Sequence, residues 1–137
     1  MKKWTKDSLE AAGYKIENAR IVDVDLYMND YDWFVPRLTL RGNVWGTAYG
    51  GYAIGGKPSG EYEGYSYGVE SIMRIMDIIG EREFSKLKGK YVRVAIKGTG
   101  LGEIVKIIGN IIEDIWFDYG SFFDDCEKEQ ECDNNDY

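Results

Sequence analysis

Histidine is absent from all 137 residues. Ser-His-Asp and Cys-His nucleophile systems, and metal sites built on imidazole, therefore have no place here. Lysine or carboxylate catalysis stays open, although no spacing points to it. Cysteine is scarce: Cys126 and Cys132 lie six apart in the last dozen residues. A disulfide framework would spread cysteines through the core, and this pair could close only a small loop. Two reduced thiols and no metal are expected. No apolar run nears the roughly 18 residues that span a bilayer. The first six residues, Met1-Lys2-Lys3-Trp4-Thr5-Lys6, turn polar at once and lack the apolar stretch of a signal peptide. The expectation is a cytoplasmic protein without a membrane partner.

What is present fits one folded domain: 44% apolar and 30% charged residues over a length that can bury a core unaided. The net charge of −7 is unevenly placed. From Asp124 onward seven acids (Asp124, Asp125, Glu127, Glu129, Glu131, Asp133 and Asp136) face only Lys128, leaving the rest close to neutral. We therefore expect a single α+β domain over residues 1–123 and a disordered acidic tail over 124–137. One basic cluster stands out: Lys86, Lys88, Lys90, Arg93 and Lys97.

Thr5 can cap a short helix reaching Ala12, with Gly13 as its stop. Lys15 to Met28 reads as a strand whose second half alternates. Val22, Val24, Leu26 and Met28 face one way, and Asp23, Asp25 and Tyr27 the other. After an Asn29–Asp32 turn, Trp33 to Arg41 reads as a strand that Pro36 confines to an edge or a bulge. Gly42-Asn43 then turns into a third strand from Val44 to about Ile54, and Gly55–Gly60 is a loop. Val69 to Ile79 predicts a long apolar helix with the stripe Val69, Ile72, Met73, Met76 and Ile79, widened by Ile75 and Ile78, lying deep against the sheet or across an interface and stopped by Gly80. A short turn over Glu83–Leu87 precedes an alternating strand from Lys90 to Lys97. Beyond a Gly98–Gly102 turn, Glu103 to Ile112 is apolar on both faces, implying a central strand or pairing across a homodimer. Asp118 caps a last turn carrying Phe122 and Phe123. The sum is a five-stranded, mainly antiparallel sheet packed by one long helix, with short flanking helices.

Several groups could carry function. Asp23 and Asp25 share a strand face, as a paired-carboxylate site would, but on the solvent side. The Gly98–Gly102 run has the glycines of a phosphate loop, yet it joins two strands instead of opening a helix. Within Trp45-Gly46-Thr47-Ala48-Tyr49-Gly50-Gly51-Tyr52, glycines in a strand admit either a close ligand or a close helix. In the first case Trp45, Tyr49 and Tyr52 would stack on a base or fill a partner's pocket. Lys90 and Arg93, flanking Tyr91, could touch phosphate or remain solvated. The acidic tail, including Asp124, Asp125 and Glu127, either solubilises the chain or imitates a phosphate backbone in a basic groove.

Three blocks, Gly68-Val69-Glu70-Ser71-Ile72-Met73-Arg74-Ile75-Met76-Asp77, Lys88-Gly89-Lys90-Tyr91-Val92-Arg93-Val94, and Ile108-Gly109-Asn110-Ile111-Ile112-Glu113-Asp114 with Trp116-Phe117-Asp118, carry a resemblance. The chain resembles a group of small proteins encoded by phages, prophages and other mobile elements of Gram-positive bacteria. The likeness covers roughly residues 8 to 123, includes Gly50-Gly51-Tyr52, and omits the tail. It carries over no catalytic or binding residue. It implies the company of accessory proteins that block host defence, including anti-CRISPR proteins and sponges for signal nucleotides. The resulting expectation is a non-enzymatic inhibitor, without cofactor, of a host defence protein such as a Cas9-type CRISPR effector nuclease. The alternative is a small-ligand binder that sequesters a defence-signal nucleotide through Trp45–Tyr52.

Overall fold

Thr5 opens helix α1 (Lys6–Ala11) with a reciprocal cap: its hydroxyl accepts from Ser8 N, and the Ser8 hydroxyl accepts from Thr5 N. Gly13, at φ +94°, turns the chain into β1 (Lys15–Met28). The computed structural model describes residues 3–97 and 105–135, with side chains through residue 129. The expected Gly98–Gly102 turn and the Cys132 side chain lie outside that range.

Strand β1 pairs with β2 (Trp33–Arg41) around the turn that Asn29 builds, its side-chain oxygen accepting from Tyr31 N and Trp33 N. Strand β2 is interior to the sheet, not an edge. Its other side pairs first with β4 (Gly55–Gly56) and then with β3 (Gly46–Gly50). Pro36 falls at the break between these two partners, opposite neither of them. Its carbonyl accepts from Gly51 N, so its missing N–H costs the ladder nothing. The expected third strand is thus cut short at Gly50, and β4 begins only after the bend. Between β3 and β4 the chain bends at Gly50 and Gly51, φ +102° and +82°, a left-handed region that glycine enters freely. Part of the expected Gly55–Gly60 loop is strand, for β4 also pairs with β5 (Glu63–Gly64).

Helix α2 (Ser66–Ile79) buries only part of the expected apolar face: Ile72, Met76 and Ile79 pack against the core, but the deepest line lies to one side of them. Its buried line is Gly68, Ser71 and Ile75, while Val69 and Met73 are more than half exposed. It is amphipathic, and it is not the deeply seated apolar helix that the stripe implied. Close approach explains the choice: a Cβ on Gly68 would stand 2.6 Å from Ile54 Cβ, so the smallest residues must face the sheet. Gly80, in the left-handed region, closes the helix, and a 3₁₀ turn (Phe84–Leu87) leads to β6 (Tyr91–Ile96).

Strand β6 pairs with β1 and with β7 (Ile107–Gly109), and β7 with β8 (Trp116–Asp118), a strand absent from the sequence reading. Among the described residues the sheet has eight antiparallel strands in the order β5-β4-β2-β1-β6-β7-β8, with β3 also on β2, instead of five. Strand β7 is shorter than the expected Glu103–Ile112, and Ile112 is exposed. Its two-faced burial is satisfied within the chain. Ile108 joins the main core with Val92, Val94, Leu38 and Leu40, and Ile107 joins a second cluster with Leu9 of α1 and Ala95. The last helix, α3 (Tyr119–Asn135), runs through residues expected to be a free tail. Phe122, Phe123 and Cys126 hold its first turns on the core, and the Glu and Lys that follow are good helix formers. No described helix is long and apolar enough to cross a membrane.

Gly68→Ala should therefore lower unfolding free energy by about 1–3 kcal/mol, because Ile54 has backbone as well as side chain at the contact. Urea melts of the two proteins measure it, and an unchanged midpoint would contradict the packing.

Candidate functional site

Eight rings meet where the Gly50-Gly51 bend, the start of α2 and the start of α3 converge. Tyr119 is central, with ring centres 5.4 Å from Tyr49, 4.9 Å from Tyr52, 5.6 Å from Phe117 and 4.9 Å from Phe123. Phe122 packs on Phe117 and Phe123, and the stacked pair Tyr65 and Tyr67 joins through Tyr67 and Phe123. Offset and edge contacts at such spacing each add about 0.5–1.5 kcal/mol beyond area. Tyr49 is wholly buried, its hydroxyl 3.4 Å from Phe117 O, so it has no surface to offer a partner. Trp45 is half-buried over the hairpin and donates its indole N–H to Glu17 at 2.6 Å. Of the three aromatics expected to bind, Tyr52 alone remains poised. It is half-buried, with its hydroxyl beside Gly120.

Acid gathers around the outer rings. Burial raises the Tyr52 phenol above its usual range, and Asp124, Asp118 and Glu127 push it further. Burial and then Glu63 raise Tyr65, and burial and then Glu127 raise Tyr67. Asp124 and Glu127 are exposed on α3, and Asp125 is half-buried. A neighbouring groove of about 300 Å³ mixes Asp118, Asp124 and Asp125 with Lys106 and Lys128. Asp118 there accepts from Trp4 Nε1 and Ser121 N, capping α3 as the sequence implied.

The basic cluster singled out in the sequence is occupied internally. Lys86 pairs with Glu83, Lys88 with Asp23 at 4.0 Å, and Lys90 with Glu81 at 3.5 Å. Arg93 donates to Asn110 O and Glu113 O at 2.7 Å each and lies 4.8 Å over the Trp116 ring, and Lys97 covers Tyr14. Asp23 and Asp25 do not form a carboxylate pair, because Lys88 and Arg37 engage them separately.

Two cations that the sequence did not single out are different. Arg20 of β1 stands directly opposite Arg41 of β2, and on its other side opposite Tyr91 of β6. Among the described residues neither guanidinium has an ion pair or hydrogen bond. All three side chains are exposed on the sheet face away from the main core, in a cleft of about 360 Å³ with Asn18, Val22 and Asn43. Register alone brings them together, so no short motif could have revealed them. Among the described residues no set of three His, Cys, Asp or Glu gathers to hold a metal.

Comparison with protein-family models, with curated proteins and with solved structures returns no match.

Two outcomes follow. Burial pushes the Tyr119 phenol up to about 12 and Tyr49 well above its usual value, whereas an unfolded tyrosine titrates near 10. The native state then holds protons that the unfolded chain releases. Stability should be intact below about pH 10 and fall as pH rises toward 12. Urea midpoints at pH 9, 10 and 11 test the sign, and a flat profile would count against the buried ring cluster. Separately, directly opposed like charges destabilise a strand pair. Arg41→Gln should leave the unliganded protein as stable as the parent or stabilise it by about 0.5 kcal/mol, whereas a structural arginine would cost stability in the same melt.

Proposed function

We propose that the protein is a non-enzymatic binding protein that inhibits a host defence system, with a Cas9-type effector nuclease as its target and the α3 surface as its contact. One observation carries this reading: the acidic segment is a helix rooted by Tyr119, Phe122 and Phe123 in the ring cluster. Rooting it sets Asp124 and Glu127 beside the half-buried Tyr52, Tyr65 and Tyr67. A helix presents carboxylates at fixed spacing, and Lys- and Arg-lined nucleic-acid grooves are complementary to such a surface. Holding those charges on a folded helix also avoids much of the ordering cost that a free tail would meet on binding. Half-buried tyrosines next to the charges supply the apolar, hydrogen-bonding anchors at which interface energy concentrates. Asp125 and the groove beside it extend the same surface. The mobile-element resemblance supplies the choice of target.

The nucleotide reading through Trp45–Tyr52 has less support, since Tyr49 is enclosed and Trp45 is spent on Glu17.

The test is a pull-down against guide-loaded Cas9-type nuclease, paired with a DNA-cleavage assay. The parent protein should be retained and should slow cleavage. The double variant Asp124→Lys, Glu127→Lys should lose at least tenfold in affinity while keeping its melting temperature within a few degrees. Absence of binding to any such nuclease removes the target. Retained inhibition by the double variant removes the surface.

A further inference from the structure

From the row Arg41–Arg20–Tyr91 we infer a second, independent binding site, for a nucleoside phosphate, on the open face of the sheet. Antiparallel neighbours stand about 4.5–5.5 Å apart at Cα, so the paired positions Arg20 and Arg41 can bring two guanidinium forks to a single small anion. A guanidinium fork matches phosphate oxygens two at a time. Repulsion between the two cations is unrelieved among the described residues, and a bound dianion would relieve it. Asp23 and Asp25, further along β1, are already engaged, by Lys88 at 4.0 Å and by Arg37 at 3.3 Å.

The rest of the cleft suits the other half of such a ligand. Tyr91 lies next to Arg20 across β1 and β6 and is 58% exposed, which leaves a ring face free for a base. Asn18 and Asn43 each bring an amide that both donates and accepts, as base edges and sugar hydroxyls require. The Arg20 guanidinium lies beside Gly89, where a Cβ would stand 3.9 Å from Nη2, so the turn before β6 leaves it room. The cleft's volume of about 360 Å³ sits near the lower end of small-ligand sites, roughly 300–1,000 Å³. That volume fits one nucleotide unit. Binding involves no chemistry.

Isothermal titration calorimetry on the full chain tests this with AMP, ADP, GMP, adenosine, inorganic phosphate and a single-stranded hexanucleotide. The expected result is saturable binding of nucleoside phosphates that weakens as salt rises, with adenosine at least tenfold weaker. Arg20→Gln and Arg41→Gln should each weaken nucleotide binding at least tenfold. Tyr91→Ala should reduce the preference for nucleotide over inorganic phosphate. Because Arg41→Gln is expected to melt no lower than the parent, loss of binding in it is not loss of fold. If the hexanucleotide binds at least tenfold tighter than AMP, with the same arginine dependence, the site stands and its source is a strand, not a free nucleotide. No saturable binding of any nucleotide at millimolar concentration overturns the inference, as does nucleotide binding indifferent to both arginine variants. Neither result bears on the α3 surface, which the Asp124 and Glu127 variants address separately.

Discussion

Between Ile21 and Asp23, strand β1 carries one residue more than β2: Ile21 faces Leu40 while Asp23 already faces Thr39, and Val22 has no partner. Strand side chains alternate, so an extra residue reverses which parity points inward. Ala19 and Ile21 are core residues before the bulge, and Val24 packs on the core after it. Without the bulge, one half of β1 would turn its apolar side chains to solvent. The 3₁₀ turn region completes the arrangement, with Gly89 N donating to Ile21 O and Ile21 N to Lys90 O. The same insertion advances the pairing by one residue. It sets Arg41, and not Gly42, opposite Arg20. Core burial on one face and the arginine pair on the other thus have one cause.

The other half of the molecule is organised by close approach. Gly68 lets α2 sit on Ile54, and Gly50 lets the chain bend past Pro36, where a Cβ would stand 2.8 Å from the carbonyl oxygen. These two positions draw the hairpin, α2 and α3 together, so that Tyr49 and Tyr52 meet Tyr119 and Phe123 of α3, and Tyr67 of α2 reaches Phe123. Ser71 belongs to the same contact: its hydroxyl donates to Gly68 O at 2.6 Å and lies 3.4 Å from the Tyr119 hydroxyl. A buried polar pair of this kind is tolerated because both partners are satisfied. The acidic helix inherits its position from this cluster, so its direction is a consequence of core packing and not of its own charges.

Much of the local structure is legible in the chain. The α1 cap at Thr5, both ends of β1 and β2, the Gly80 stop and the alternation of β6 follow from short-range chemistry that acts within a few residues. The failures have a common character. Counting apolar side chains extends α2's buried face to Val69 and Met73, because hydrophobicity scales credit size, whereas the contact with Ile54 rewards its absence at Gly68. Strands β4, β5 and β8 are two or three residues long and exist only because a neighbour pairs with them. Helix α3 looks like a solubilising tail by composition, and only the anchoring of Phe122, Phe123 and Cys126 converts it to an extension of the fold. At the candidate sites, Tyr52, Asp124 and Glu127 were visible as residue types, while the burial of Tyr49 was not, since a glycine-flanked tyrosine reads the same inside or outside.

The cationic residues show why charge density along a chain is a poor guide to a charged site. Lys86, Lys88 and Lys90 crowd five residues of sequence, yet each meets an acid supplied from elsewhere or from the neighbouring turn. Exposed pairs of this sort contribute little to stability, about 0–1 kcal/mol, but they do reduce the field each lysine could project toward a ligand. Arg20 and Arg41 lie 21 positions apart in the chain and become neighbours only through the ladder. Their charges are unspent among the described residues, and their mutual repulsion works against the very pairing that joins them. A fold under selection for stability alone would gain by replacing one of them with a neutral β-former such as threonine. Retaining both, beside an exposed ring and two amides, is what an anion-binding surface requires, because the repulsion present in the free protein becomes attraction once a negative group sits between them.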